Sequence, residues 1–193
     1  DIHMSKEAAL QELYPLVQTA QALAQKYDVV ITNPPYMGSK GMSTKLADYV
    51  KKNYPESKSD MFAVFIEKCV TMTNTNRYKA MITQHSWMFL SSFEKLRSKL
   101  LSSDIINMAH LGARAFEEIG GEVVQTTSWV QRNSNLKEYS GTYARLVDFN
   151  SQELKEKAFL SGENNHVAKK DSFSKIPGAP IAYWVSESIT KAY

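Results

Sequence analysis

A chain of 193 residues, 43% hydrophobic and 22% charged, holds enough apolar material for one buried core. Its 23 Lys and Arg against 20 Asp and Glu leave a net charge of +3, compatible with a polyanionic partner without requiring one. The single cysteine, Cys69, excludes an intrachain disulfide and a cysteine-rich zinc site. No apolar run reaches membrane-spanning length, so a reducing cytoplasm fits.

The opening DIHM (residues 1–4) reads as a cloning remnant, which removes His3 from functional consideration. Residues 5–26 are rich in Ala, Leu, Gln and Glu at helical spacing, with Pro15 expected to kink or split the helix. Residues 27–32 (YDVVIT) are a β-branched run of the kind buried in a parallel sheet. The loop over 33–44 carries Gly38, Ser39, Gly41, Ser43 and two methionines, and reads as adaptable. Helices are expected over 45–52 and 59–74, the second with Asp60 near its start and Cys69 on its buried face. Residues 78–83 read as a strand, 91–101 as a helix capped by its serines, and 104–110 and 122–132 as two further strands. This order implies an α/β fold, a largely parallel sheet with an antiparallel ending. After 132 the pattern weakens: a strand over 142–148, a polar stretch over 151–167, and a Pro/Gly segment with aromatics over 175–184. Residues 134–193 are therefore expected to be an irregular tail, separate from a folded unit over 5–133.

Within this order one short stretch stands out. NPPY (33–36) directly follows the first strand. Two prolines remove two backbone donors and fix two φ angles, so neither helix nor strand continues through them. One reading is a rigid turn. The other is a platform at the carboxyl end of a sheet strand, where α/β folds open their ligand crevice. There the Asn33 side-chain oxygen and the Pro34 carbonyl offer two acceptors for the two hydrogens of an exocyclic amine. Binding both would localise a nitrogen lone pair that is otherwise delocalised into the ring. Proline keeps its C=O while lacking a competing N–H. Pro35 stiffens the platform, and Tyr36 supplies a stacking face for a base taken out of a helix.

NPPY after a hydrophobic strand resembles motif IV of the amino-methyltransferases that transfer a methyl group from S-adenosylmethionine to N6 of adenine in DNA. SDMFAVFIEKCVTM resembles the next motif of that family, which implies that Phe65 contacts the cofactor adenine. YKAMITQHSWMFLSSFEKLRSKLL resembles the following strand and helix, although Gln84 stands where the family usually has proline. LGARAFEEIGGEVVQTTSWVQRN resembles the motif whose phenylalanine stacks on the flipped base, which places Phe116 opposite Tyr36. The loop wording, from NPPYMGSKGM through AHLGARAFEEIGGEVVQTTSWV to IPGAPIAYWVSE, is similar to the methyltransferases of BREX phage-defence systems over about residues 27–193. The resemblance implies a bacterial cytoplasmic enzyme acting on double-stranded DNA, with other defence-system proteins as partners.

The family's glycine-containing cofactor loop and ribose-binding acid precede NPPY, and neither is present here: residues 5–26 contain no glycine and the chain has no G-x-G. The expected fold is thus a partial class I (Rossmann-like) methyltransferase sheet, mixed with antiparallel last strands and lacking its N-terminal cofactor-binding half. Such a fragment is expected to be inactive alone and to bind S-adenosylmethionine weakly or not at all. Strand 27–32 would then be an open sheet edge, inviting self-association. Lys40, Lys45, Lys51, Lys52 and Lys58 surround the loop after NPPY and suit DNA phosphates as well as plain solvent. His85 and His110 have no metal-ligand spacing and read as structural, Asp60 and Glu67 read as a solvated helix face, Trp87 and Trp129 as core, and Trp184 as a contact for a neighbouring domain. No metal site is expected. Two other readings stand beside DNA methylation: methylation of a protein glutamine or an RNA base, and a non-catalytic α/β binding or assembly module.

Overall fold

The computed structural model describes residues 2–116 and 124–185. Helix α1 (Ile2–Ala24) runs straight into strand β1 (Tyr27–Thr32); α2 (Thr44–Asn53) and α3 (Met61–Met72) come next. Strand β2 (Thr73–Gln84) leaves α3 without a loop, and α4 (Glu94–Leu100) leads to the antiparallel pair β3 (Asp104–Gly112) and β4 (Thr126–Arg132). Then come β5 (Ser140–Arg145), α5 (Gln152–Ser161), β6 (Asn165–Lys169) and α6 (Lys170–Ser174). The six strands form one mixed sheet in the order β1-β2-β4-β3-β5-β6. Strands β1 and β2 are parallel, as are β3 and β5, while β4 runs antiparallel between β2 and β3. The carboxyl ends of β1, β2, β3 and β5 therefore leave the sheet at one common edge.

The core rests on one face of this sheet. Met81, Trp129, Met108 and Tyr143 are buried beneath Phe62 and Ile66 of α3 and Leu96 and Leu100 of α4. The Trp87 and Trp129 indoles lie 5.5 Å apart and both donate to the Thr83 hydroxyl, at 3.0 and 3.3 Å. One threonine thus satisfies two buried N–H groups. Cys69 is buried on α3, and burial pushes its thiol up, as befits an inert core residue.

Four expectations change. Helix α1 is unbroken through Pro15, which sacrifices a single helical hydrogen bond in an exposed helix. No serine caps the helix after β2: Ser91–Phe93 form a 3-10 turn, and α4 begins at Glu94 without a side-chain cap. Strand β1 pairs in parallel as expected yet is not buried, with Val29 55% and Ile31 74% exposed at the edge of the sheet.

The fourth change is the largest. The segment after residue 134, expected to be irregular, contributes β5, α5, β6 and α6 to the same sheet and core. Phe173, Ile181 and Tyr183 pack in the main cluster, and Ile181 N–H donates to the Met88 carbonyl. Gly141 permits this closeness, because a Cβ there would stand 2.4 Å from the Ile105 carbonyl. Trp184 packs on Phe89 and Tyr183, with the Arg145 guanidinium 5.3 Å from its ring.

Buried charges fasten this segment. Arg97, 1% exposed, donates to the carbonyls of Trp87, Leu90 and Gly178. Asp104, fully buried, accepts from Lys170 Nζ at 2.7 Å, from Ser134 Oγ at 2.7 Å and from Leu136 N–H. These groups lie far apart in sequence, so no local pattern announced them.

Burial alone would raise the Asp104 carboxyl, but the bonds from Lys170, Ser134 and Leu136 hold it below the usual carboxylate range. A folded value below the unfolded one contributes stability that is full above about pH 4 and is lost as pH falls through the folded value. Asp104→Asn leaves the Lys170 ammonium buried without its counter-charge, a loss on the order of 3–5 kcal/mol at pH 7. Urea unfolding followed by tryptophan fluorescence should give a wild-type-to-variant gap that is large at pH 7 and narrower at pH 3. A gap independent of pH contradicts this account.

Candidate active site

NPPY begins where β1 ends. Asn33 is exposed, Pro34 buried, Pro35 exposed and Tyr36 half-buried, so the chain dips into the protein once and turns back out. Neither the Asn33 side chain nor the Pro34 carbonyl has a hydrogen-bond partner among the described residues. Tyr36 meets Phe62 edge-on at 6.1 Å between ring centroids. Its hydroxyl is buried without a partner, and burial pushes the phenol up to about 12. The tyrosine is therefore neutral across physiological pH.

The segment after NPPY, from Met37 to Ser39, is clamped rather than free. The Asp60 carboxylate caps α3 by accepting from Phe62 N–H at 3.2 Å, and the same oxygen accepts from Met37 N–H at 3.1 Å. Met61 N–H donates to the Met37 carbonyl, and Ser39 N–H to the Ser59 carbonyl. Gly38 and Asp60 form an isolated bridge. Burial raises the Asp60 carboxyl, against the lowering effect of the backbone N–H groups it accepts from. Asp60 is thus a cap and clamp, not part of a solvated helix face. Glu67 is likewise engaged, accepting from Ser57 Oγ at 2.6 Å and from Lys99 Nζ at 2.9 Å.

Phe65 lies half-buried on α3 and lines an apolar cavity of about 420 Å³ between β1, α2 and α3. Val30, Thr32, Leu46, Tyr49 and Lys68 share that lining, and no carboxylate among the described residues does. An aromatic wall in an apolar recess suits the adenine ring of S-adenosylmethionine. The acid needed by its ribose is missing from the recess, so these residues fit one part of the cofactor.

At the same sheet edge, β3 ends in a turn that leads to Phe116, which is half-buried. No contact joins Phe116 to Tyr36 among the described residues, and the remainder of that expected motif over residues 117–123 lies outside them. Lys40, Lys45, Lys51, Lys52 and Lys58 are all exposed, and none forms an ion pair among the described residues. Strand β2 ends at Gln84, and His85 is the next residue. His85 Nδ1 lies 2.8 Å from His110 Nε2, and His110 Nδ1 lies 2.9 Å from the Tyr183 hydroxyl. Burial lowers His85; burial, then the nearby His85, Arg145 and Lys155 charges, bring His110 down to about 3. Both rings are neutral at pH 7 and form a buried polar chain beneath the edge. Residues 25 and 73 apart in sequence gave no spacing from which to foresee it. No cluster of three or more metal-ligating side chains occurs among the described residues, and no helix there is long and apolar enough to cross a membrane.

A mixed sheet with β4 inserted antiparallel, and a proline-rigidified amide at the end of its edge strand, define a class I methyltransferase fold of the partial type expected. In solved structures, the DrdV–DNA complex superposes on 90% of this chain and 20% of its own with a TM-score of 0.63 at 15% identity. The family model for the Eco57I restriction-modification methylase matches residues 3–116. The adenine-specific methyltransferase PglX of Lacticaseibacillus casei (strain Zhang) is 54% identical over 182 residues, covering 91% of this chain. The adenine-specific methyltransferase BrxX of Escherichia coli O9:H4 (strain HS) is 46% identical over 189 residues, covering 97%. The chain belongs to the Eco57I restriction-modification methylase family. It spans 15% and 16% of the lengths of these two relatives.

The Asp60 clamp gives a direct test. Asp60→Ala removes a helix cap and the anchor of Met37, a loss of about 1–2 kcal/mol. Chemical denaturation should show that loss, and amide hydrogen exchange should show faster exchange at Met37 and Phe62 than elsewhere. Unchanged exchange at Met37 contradicts the clamp.

Proposed function

We propose that this chain is the target-base half of an adenine-specific DNA methyltransferase of the BREX phage-defence type, methylating N6 of adenine in double-stranded DNA. The observation that carries the reading is the pair of unpartnered acceptors, Asn33 Oδ1 and the Pro34 carbonyl, at the end of β1. A flipped adenine would donate its two N6 hydrogens to them, which concentrates the nitrogen lone pair and points it out of the pair's plane. Pro34 and Pro35 hold the acceptors fixed, so little reorganisation accompanies the reaction. Tyr36 offers its ring face to the base, and Phe116 closes on it from the end of β3. S-adenosylmethionine supplies the electrophilic methyl group when bound, with Phe65 holding its adenine ring. Lys40, Lys45, Lys51, Lys52 and Lys58 meet the DNA phosphates and set a salt-dependent affinity without reading sequence. The high identity to relatives named as adenine-specific methyltransferases supports this substrate over protein glutamine or RNA.

Among the described residues no carboxylate lines the recess beside Phe65, so we expect this segment to be inactive without the rest of the enzyme. Strand β1, exposed at Val29 and Ile31 and unpaired on its outer side among the described residues, is in our reading a site of self-association.

Asn33→Ala in the full-length enzyme removes one of two acceptors and should lower kcat by about 10²–10³-fold, with the KM for S-adenosylmethionine within a few-fold of wild type. Wild-type kcat in that variant sinks the proposal. Light scattering of the 193-residue chain at micromolar concentration should report a dimer or larger species, whereas a monomer contradicts pairing through β1.

A further inference from the structure

Helix α5 is tied by two side-chain hydrogen bonds to the chain leading to Phe116 and by a third to the end of β5. Lys155, 3% exposed, donates from Nζ to the carbonyls of Leu111 and Leu146, each at 2.7 Å. Gln152 Nε2 donates to the Ala115 carbonyl at 3.0 Å, the peptide immediately before Phe116. An ammonium withdrawn from water requires acceptors. Lys155 finds them at the carboxyl ends of β3 and β5, which makes both strand ends and the helix one unit.

The backbone between them needs such support. Gly112 ends β3 at φ +67, where a Cβ would meet Val147 at 2.9 Å, and Arg114 adopts φ +57 two residues later. Glycine takes its positive φ freely, but a left-handed arginine is seldom held by local preference and persists where surrounding structure dictates it. Leu146 N–H, donating to the His110 carbonyl, adds the backbone share of that support. A cavity of about 340 Å³ separates α5 from the turn, lined by Leu111, Ala115, Leu146, Glu156 and Phe159. Across it, Gln152 and Lys155 reach over to bond the backbone.

We propose that Gln152 and Lys155 are positioning residues for Phe116: α5 fixes the turn over residues 112–116 so that the Phe116 ring meets a flipped adenine in one orientation. The inference rests on the target-base role given to Phe116 above. Neither residue touches the base. Their effect passes through the Leu111, Leu146 and Ala115 carbonyls.

The test uses the full-length methyltransferase with two duplexes: one carries 2-aminopurine at the adenine that the wild-type enzyme methylates, for fluorescence, and the unmodified one is used for kcat and KM. Gln152→Ala and Lys155→Met should each lose at least half of the fluorescence rise that reports the flipped base, and at least fivefold in kcat. The KM for S-adenosylmethionine should stay within twofold of wild type, and Phe116→Ala should lose the fluorescence rise altogether. If Phe116→Ala loses it while both α5 variants keep wild-type fluorescence and kcat, α5 has no positioning role and the target-base reading survives. If Phe116→Ala keeps it, both fall. Should Lys155→Met fail to fold, Gln152→Ala decides alone, since it deletes one exposed side chain and leaves the buried ammonium in place.

Discussion

One carboxylate oxygen of Asp60 joins two parts of the molecule that the site cannot separate. It satisfies an orphan N–H group of α3 and holds Met37, the first residue after NPPY. The prolines determine how the chain leaves β1, but stiffness alone does not say where a stiff segment lies. Asp60 supplies that second condition by fixing the far end. Between these two constraints Pro34 is buried and its carbonyl, with the Asn33 amide, has no partner among the described residues. Unpartnered acceptors at a sheet edge are unfavourable unless a ligand or water satisfies them, and a rigid scaffold is what allows them to persist.

The same logic recurs elsewhere in the molecule, with longer reach. Arg97 gathers carbonyls from Trp87, Leu90 and Gly178, while Asp104 gathers donors from Ser134, Leu136 and Lys170. Each is a buried charge satisfied at its extreme by a group far away in sequence, 81 residues for Arg97 and 66 for Asp104. These contacts help hold β5 against β3, with β6 beside β5, and the same arrangement brings Gln152 and Lys155 of α5 to the Phe116 turn. The cation beneath that turn is as structural as the one beneath Gly178, yet its neighbours lead toward the proposed base contact.

Legibility followed the range of the interactions. NPPY, the apolar stripe of α3 and the β-branched run of β1 are local signals, since proline geometry, helical spacing and strand propensity act within a few residues. The core positions of Trp87, Trp129 and Cys69 were readable for the same reason. The composition of YDVVIT points to a buried strand, yet β1 lies at the open sheet edge that is also expected, and that position leaves Val29 and Ile31 exposed. The segment after 134 was misread more seriously. Its apolar residues are sparse and irregularly spaced, and its order comes from Asp104, Lys170, Arg97 and a glycine, Gly141, that admits close approach to Ile105. Glu67 reads as solvated, and His85 and His110 read as structural without their partners, because partners distant in sequence leave no periodic trace.

Every role assigned to the site depends on the two free acceptors at the end of β1 receiving the N6 amine of adenine. The most direct measurement is the identity of the methylated product. DNA treated with the full-length enzyme and S-adenosylmethionine would be digested to nucleosides and analysed by mass spectrometry, with wild type and Asn33→Ala side by side. The expected result is N6-methyldeoxyadenosine as the sole new nucleoside from wild type, and its near-absence with the variant. A methylated deoxycytidine, or N6-methyldeoxyadenosine at equal yield from both proteins, would contradict it.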